Sequence, residues 1–222
     1  MKNLAVIPAR GGSTRLKNKN IYSLGGKPLI RWSVESVLES GCFDTVIVST
    51  DCDEIFDTVS DLKVVRHIRQ AEHATTRATV LDAMMSLMKI YSGYDTFSYF
   101  LPTCPFISPE DIKRGMNMFD DCTDFVISMT EMQDIPQLAC VMKRDDVIPV
   151  FDNLTSGLTN SKFIQKYHKP SGGFYMAKWD KLKETGNFFK GDVRGVIIPK
   201  DRSVDINDIH DIRLAEALIQ GE

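Results

Sequence analysis

Short apolar runs of strand length alternate with longer stretches whose apolar residues recur at helical spacing. Leu4 to Pro8 is apolar throughout and predicts a buried first strand, and Thr45 to Ser49 predicts a second. Leu29 to Ser40 has apolar residues at 29, 30, 34, 37 and 38, which form one face of a helix. Further helices are expected over Asp53–Ser60, Thr79–Tyr91, Ile112–Phe119 and Ile209–Ile219. Further strands are expected at Lys63–Val65, Thr96–Leu101, Phe125–Met129, Phe174–Met176 and Val196–Pro199. Ser108 followed by Pro109 marks a helix start, with serine as N-cap and proline at the first helical position. This alternation predicts an α/β fold with a mostly parallel central sheet flanked by helices, Rossmann-like in layout.

Residues 131–170 break the pattern, with scattered polar positions and a hairpin-like run from Cys140 to Val150. They read as an insertion after the central strands. No repeat, low-complexity tract or Pro/Ser linker interrupts the chain, so residues 1–222 are expected to form one domain. Hydrophobic residues at 43% and charged residues at 26% are ordinary globular values. The net charge of −3 supplies no overall field for nucleic acid, so any anion site must be a local basic patch.

Five cysteines lie far apart, with no C-x-x-C pair for zinc or redox exchange, and read as free thiols in a reducing compartment. The apolar run at the start is too short for a signal peptide, and nothing approaches the roughly 18 apolar residues of a membrane span. A soluble, cytoplasmic protein without membrane or nucleic-acid partners is expected.

The chemistry concentrates after the first strand. Arg10, Arg15, Lys17 and Lys19 crowd four cations around Gly11 and Gly12, whose backbone can turn tightly and offer bare N–H groups to an anion. Such crowding is rewarded by a polyanion; the alternative is a solvated basic turn. The loop is neither a Rossmann G-x-G-x-x-G nor a Walker loop. Asp51 follows the second strand, so both elements lie at strand carboxyl ends, where ligands of open α/β sheets collect.

The run Pro8, Ala9, Arg10, Ser13, Leu16, Lys19 and Asn20 resembles the acylneuraminate branch of the cytidylyltransferases, within the sugar nucleotidyltransferases. Its pattern is roughly Pro-Ala-Arg-x-x-Ser-x-x-Leu-x-x-Lys-Asn. Ser13-Thr14-Arg15-Leu16 also fits the sister branch that activates the sugar Kdo, but Lys19-Asn20 favours acylneuraminate. A second block, Ser203-Val204-Asp205-Ile206-Asn207, resembles Ser-Ile-Asp-Ile-Asp, in which alternate aspartates hold Mg²⁺. Side chains at i and i+2 of an extended segment point the same way, as two ligands of one ion must. Asp205 matches the first, whereas the second is the neutral Asn207, with Asp208 or Asp51 as possible sources of the missing charge. Asp205 and Asp208 could alternatively only cap the closing helix.

Leu101-Pro102-Thr103-Cys104-Pro105 resembles a Gln-Pro-Thr-Ser-Pro-Leu-Arg block, with Leu101, Cys104 and Ile107 replacing its Gln, Ser and Arg. Pro170 to Met176 resembles Pro-Asn-Gly-Ala-Ile-Tyr-Ile. Arg69, Ala74 and Ala78 match a further block whose Asp is here Thr76, and His73 stands where that block has Leu, as a packed core residue.

The resemblance implies a nucleotidyltransferase fold and transfer of CMP from CTP to a nine-carbon 2-keto acid sugar of sialic, legionaminic or pseudaminic type. Arg10, Lys19 and Asp205 would be catalytic. Ala9, Arg10, Gly11, Gly12, Ser13, Arg15, Lys19, Asn20, Asp51 and Arg69 would bind nucleotide. Asp51 could instead only cap the next turn. Lys169, Ser171 and Gly172 would meet the sugar, and Asp205 with Asn207 would hold Mg²⁺. A homodimer, with residues 131–170 reaching across or toward the sugar, is also implied. The rival readings are a Kdo cytidylyltransferase and a catalytically weakened nucleotide-binding homologue.

Overall fold

The computed structural model describes residues 1–70 and 80–221. The expected positions His73, Ala74, Thr76 and Ala78, and the helix start at Thr79, lie outside the described residues.

The core is a seven-stranded sheet. In chain order its strands are β1 (Asn3–Pro8), β4 (Thr45–Thr50), β5 (Val65–Ile68), β6 (Thr96–Phe100), β7 (Phe125–Glu131), β10 (His168–Lys178) and β11 (Val193–Ile197). They lie side by side as β11-β7-β10-β6-β1-β4-β5. Only β10 runs against its neighbours; every other pairing in this sheet is parallel. Two hairpins stand apart, β2 (Ser23–Leu24) with β3 (Lys27–Pro28) and β8 (Cys140–Lys143) with β9 (Asp146–Pro149).

Helices cover both faces, as the period-2 alternation of β1 requires. Ala5 and Ile7 pack with α1 (Leu29–Ser40), α2 (Asp53–Asp57) and α4 (Pro109–Met116) through Ile30, Val34, Ile55 and Ile112. Leu4 and Val6 face α3 (Val80–Ile90) and α5 (Trp179–Thr185) through Met84, Leu87 and Leu182. A third cluster sets α6 (Ile209–Gln220) against β2 and the start of α1, and draws in Leu16 and Ile206. That cluster brings the basic loop and the Asp205 segment together.

Several boundaries differ from expectation; the strand expected at Val196–Pro199 lies at Val193–Ile197, and the helix expected at Ile112–Phe119 lies at Pro109–Met116, starting at the Ser108 cap. The strand expected at Lys63–Val65 lies at Val65–Ile68, because pairing with Ile47 to Thr50 at the sheet edge places Arg66 and His67 in the strand with little burial. The strand expected at Phe174–Met176 runs for 11 residues, since His168 to Pro170 already pair with β7 before a bulge. The last three residues of the expected 131–170 insertion therefore belong to the sheet. Helix α2 stops at Asp57, and α5 was not foreseen. The hairpin from Cys140 is present, and all five cysteines are free. Among the described residues no helix is long and apolar enough to cross a membrane.

Candidate nucleotide and sugar site

Strand β1 ends where the basic loop begins. Ala9 is fully buried and its N–H donates to Ser49 O at 2.9 Å, so the loop leaves the sheet from a fixed point. Gly11 N–H donates to Asp51 Oδ1 at 2.8 Å, and a Cβ at Gly11 would stand 3.0 Å from Cys52 Cβ. Asp51 therefore holds the loop; it does not cap α2, whose N-cap Cys52 makes no side-chain bond. Asn20 is buried, and its Nδ2 donates to Arg10 O at 2.9 Å. Asp51 and Asn20 thus fix the loop backbone at Gly11 and Arg10.

The same loop reaches the segment before α6. Lys19 Nζ donates to Ile206 O at 3.0 Å, and Arg15 donates to Asn207 Oδ1 at 2.7 Å. Ile206 N–H in turn donates to Thr103 O at 2.7 Å, which joins the end of the central strand to both. Residues from three distant stretches of sequence converge here.

Arg10, Ser13, Lys19, Asn20, Arg69 and Thr103 line a cavity of about 230 Å³. Arg69 is 7% exposed, and its buried Nε has no hydrogen-bond partner among the described residues. Burial lowers the Arg69 pKa, with Asp51 opposing and Arg10 adding to the effect. Burial also lowers the Lys19 pKa; Asp205 opposes this, while Arg15 and Arg10 reinforce it. Cations that are desolvated and mutually repelling cost stability until an anion arrives. A phosphate chain is the ligand this cavity suits.

A larger cavity of about 750 Å³ is lined by Thr130, Lys169, Lys200, Ser203, Asp205 and Asn207 among others. Of the residues expected at the sugar, Lys169 is exposed and borders it. Ser171 does not face it. The Ser171 hydroxyl is buried and donates to Ser128 Oγ at 2.8 Å, inside the strand bulge. Gly172 adopts φ +84°, and a Cβ there would meet Cys104 Sγ at 3.1 Å. Its glycine answers to the bulge and to Cys104, so room for a sugar is not what requires it. The adjacent Gly173 is tighter still against Ile107.

Cys104 is no nucleophile. Burial, reinforced by Asp205, raises its thiol pKa far above the ordinary range, and its Sγ donates to Ser171 O at 3.4 Å.

The carboxylates near Asn207 have separate tasks. Asp208 accepts from His210 and Asp211 N–H groups as the N-cap of α6. Asp211 accepts from Asn207 N–H at 2.7 Å and from Asp208 N–H at 3.0 Å. The Asn207 oxygen is turned to Arg15, and its Nδ2 donates to Asp205 Oδ2 at 3.0 Å. Among the described residues no group of three His, Cys, Asp or Glu forms a ready metal cage. Of Asp205, Asp208 and Asp211, only Asp205 is exposed. One carboxylate with substrate phosphates fits Mg²⁺, which commonly keeps waters and binds through few protein ligands.

Sequence reasoning missed Arg202. Its guanidinium grips the buried carboxylate of Asp111 through both terminal nitrogens, the longer bond being 3.2 Å, and donates to Phe106 O at 3.4 Å. Asp111 is also the third residue of the capping box begun by Ser108. The bridge ties α4 to the chain three residues before Asp205. The charged run Lys200-Asp201-Arg202 just ahead of that block was the available signal.

The cytidylyltransferase family pattern matches residues 4–153. The chain belongs to the cytidylyltransferase family. It is 30% identical to the pseudaminic acid cytidylyltransferase of Campylobacter jejuni, over 98% of this chain and 96% of that protein. It is also 30% identical to the N-acylneuraminate cytidylyltransferase of Escherichia coli O18:K1:H7, over 99% of this chain, which spans about half (52%) of that longer relative. Among solved structures, the CMP:2-keto-3-deoxy-manno-octonic acid synthetase complexed with CTP superimposes with a TM-score of 0.73. It covers 100% of this cytidylyltransferase and 99% of that chain at 18% identity, a likeness of fold.

Proposed function

We propose that this cytidylyltransferase transfers CMP from CTP to the anomeric hydroxyl of a nine-carbon 2-keto acid sugar, releasing pyrophosphate. The observation that carries the reading is the bonding of Arg15 and Lys19 to the Asp205–Asn207 segment, between a cation-lined cavity and a larger polar one. The named substrates of the two relatives, pseudaminic acid and N-acylneuraminate, support a nine-carbon acidic sugar. The likeness to the octonic acid synthetase concerns fold and does not favour Kdo.

The sugar oxygen would attack the α-phosphorus in line with departing pyrophosphate, a reaction that needs positioning and charge neutralisation more than covalent help. Arg10, Arg15 and Lys19 neutralise the phosphates, and the Gly12 N–H donates to them, since Gly11 N–H is held by Asp51 and Ser13 N–H donates to Gly11 O at 2.9 Å. Arg69, buried with an Nε that has no partner among the described residues, binds an acceptor of the nucleotide. Asp205 would hold Mg²⁺ together with substrate phosphates, and the bound ion would add Lewis-acid charge neutralisation. Lys169 meets the sugar carboxylate from the second cavity. Two copies associate through the β8–β9 hairpin, whose apolar side chains stand exposed.

Pyrophosphate release from CTP and Mg²⁺ tests this across pseudaminate, legionaminate, N-acetylneuraminate and Kdo. Release with a nine-carbon sugar, lost in Asp205→Ala, is expected. CTP binding with no release for any sugar would leave a nucleotide-binding homologue, and release with Kdo alone would reverse the sugar assignment.

A further inference from the structure

The Asn207 amide has its orientation set from both sides. A guanidinium can only donate and an ionised carboxylate can only accept, so the oxygen faces Arg15 and the nitrogen faces Asp205. Arg15 is thereby held at 2.7 Å by a neutral group. Asp208 feels the Arg15 charge, but its carboxylate serves the His210 and Asp211 amides at the helix cap. Asp211 is spent on the Asn207 and Asp208 amides. Arg15 is exposed, sits in the phosphate loop, and keeps its charge uncancelled by the side chain that orients it.

We propose that Asn207 is a positioning residue that presents Arg15 to the triphosphate as a net cation, so that CTP binds this chain through Arg15 without requiring a divalent ion. A carboxylate at 207 would form an ion pair with Arg15, cancel that charge, and transfer the burden of neutralising the phosphates to the metal. The inference rests on the cytidylyltransferase reading of the same site and concerns how its charge is balanced. A divalent ion on the same oxygen would stand beside the Arg15 guanidinium against like charge, which favours the positioning role for Asn207.

The test is calorimetric titration of CTP into the full chain in EDTA and again in Mg²⁺, for wild type, Asn207→Asp, Arg15→Gln and the double variant. Wild type binds CTP in EDTA. Asn207→Asp weakens binding in EDTA by about tenfold or more and recovers most of it in Mg²⁺. Arg15→Gln weakens binding in EDTA, and adding Asn207→Asp to it costs little further, because the charge to be cancelled is gone. Equal affinity of wild type and Asn207→Asp in EDTA overturns the proposal. So does an undiminished Asn207→Asp effect in the Arg15→Gln background, which would mean direct repulsion of phosphate. Wild type that binds CTP only with Mg²⁺ overturns it while leaving the cytidylyltransferase reading intact, whereas no CTP binding in either buffer removes that reading too. Residue 15 is exposed, and unchanged thermal unfolding of Arg15→Gln separates a binding loss from a folding loss.

Discussion

A Cβ at Gly173 would stand 2.3 Å from Cδ1 of Ile107, closer than two carbons can sit, so a side chain at 173 is compatible with the fold only if Ile107 moves. Ile107 is 4% exposed and packs under the bulge of β10. Gly173→Ala should destabilise the fold by about 1–3 kcal/mol, the range for overpacking a core. Combined with Ile107→Ala the loss should be clearly smaller than the sum of the single losses, since the truncated side chain makes room. Urea unfolding of the four proteins measures this; strict additivity would show that the pair does not clash.

Asn20 holds the carbonyl of Arg10 from a buried position. Asn20→Ala leaves that carbonyl without its partner, at a cost of about 1–3 kcal/mol. Because the affected backbone carries Arg10, the KM for CTP should rise more than kcat falls. Asn20→Asp should do worse, as a carboxylate cannot donate to a carbonyl. Steady-state kinetics with CTP varied would expose the error if kcat alone dropped.

The sequence made the sheet legible where strands are buried on both faces and the helix legible where one face is apolar. Strand β1 and helix α1 have that clear pattern, and α1 begins and ends where its periodicity does. Edge strand β5 was misplaced because Arg66 and His67 owe their place to pairing with β4, and no apolar pattern records it. The site divides the same way. Cations next to glycines are visible as a phosphate loop, but the burial of Arg69, whose Nε has no partner among the described residues, depends on neighbours far along the chain. Ser171 and Gly172 read as room for a sugar because glycines signal space, whereas Cys104 and Leu101 already fill the space beside Gly172.

Lys19 predicts a pH limit. Burial is the chief cause lowering its pKa, so the free enzyme loses this cation at lower pH than an ordinary lysine would. If the charge serves the triphosphate, kcat/KM for CTP falls on the alkaline side with that lowered pKa, and Lys19→Arg moves the fall upward. The stability sign is opposite. Between the lowered folded pKa and the unfolded one, the unfolded chain binds more protons, so this group's contribution to stability rises with pH through that window. Below the folded pKa the buried charge opposes folding in full, and Lys19→Met should remove that cost there while abolishing most activity. A pH–rate profile unchanged by Lys19→Arg would exclude Lys19 from the limb.

The β8–β9 hairpin gives the test of assembly. Val141 opposes Ile148 and Met142 opposes Val147, so consecutive pairs present apolar side chains on opposite faces of the ribbon. All four are exposed, from 46% at Ile148 to 62% at Met142. A two-stranded hairpin is marginal in water by itself, and one with both faces apolar needs a cover. In the proposed dimer a second copy would supply it by presenting the same apolar ribbon. Met142→Glu with Val147→Glu places like charges directly opposite each other and buries them in any such contact. The pair of substitutions should halve the mass seen by light scattering at micromolar concentration while leaving the thermal unfolding of the sheet cooperative. A monomeric wild type, or a variant that keeps the full mass, would show that the hairpin is covered by something other than a second copy.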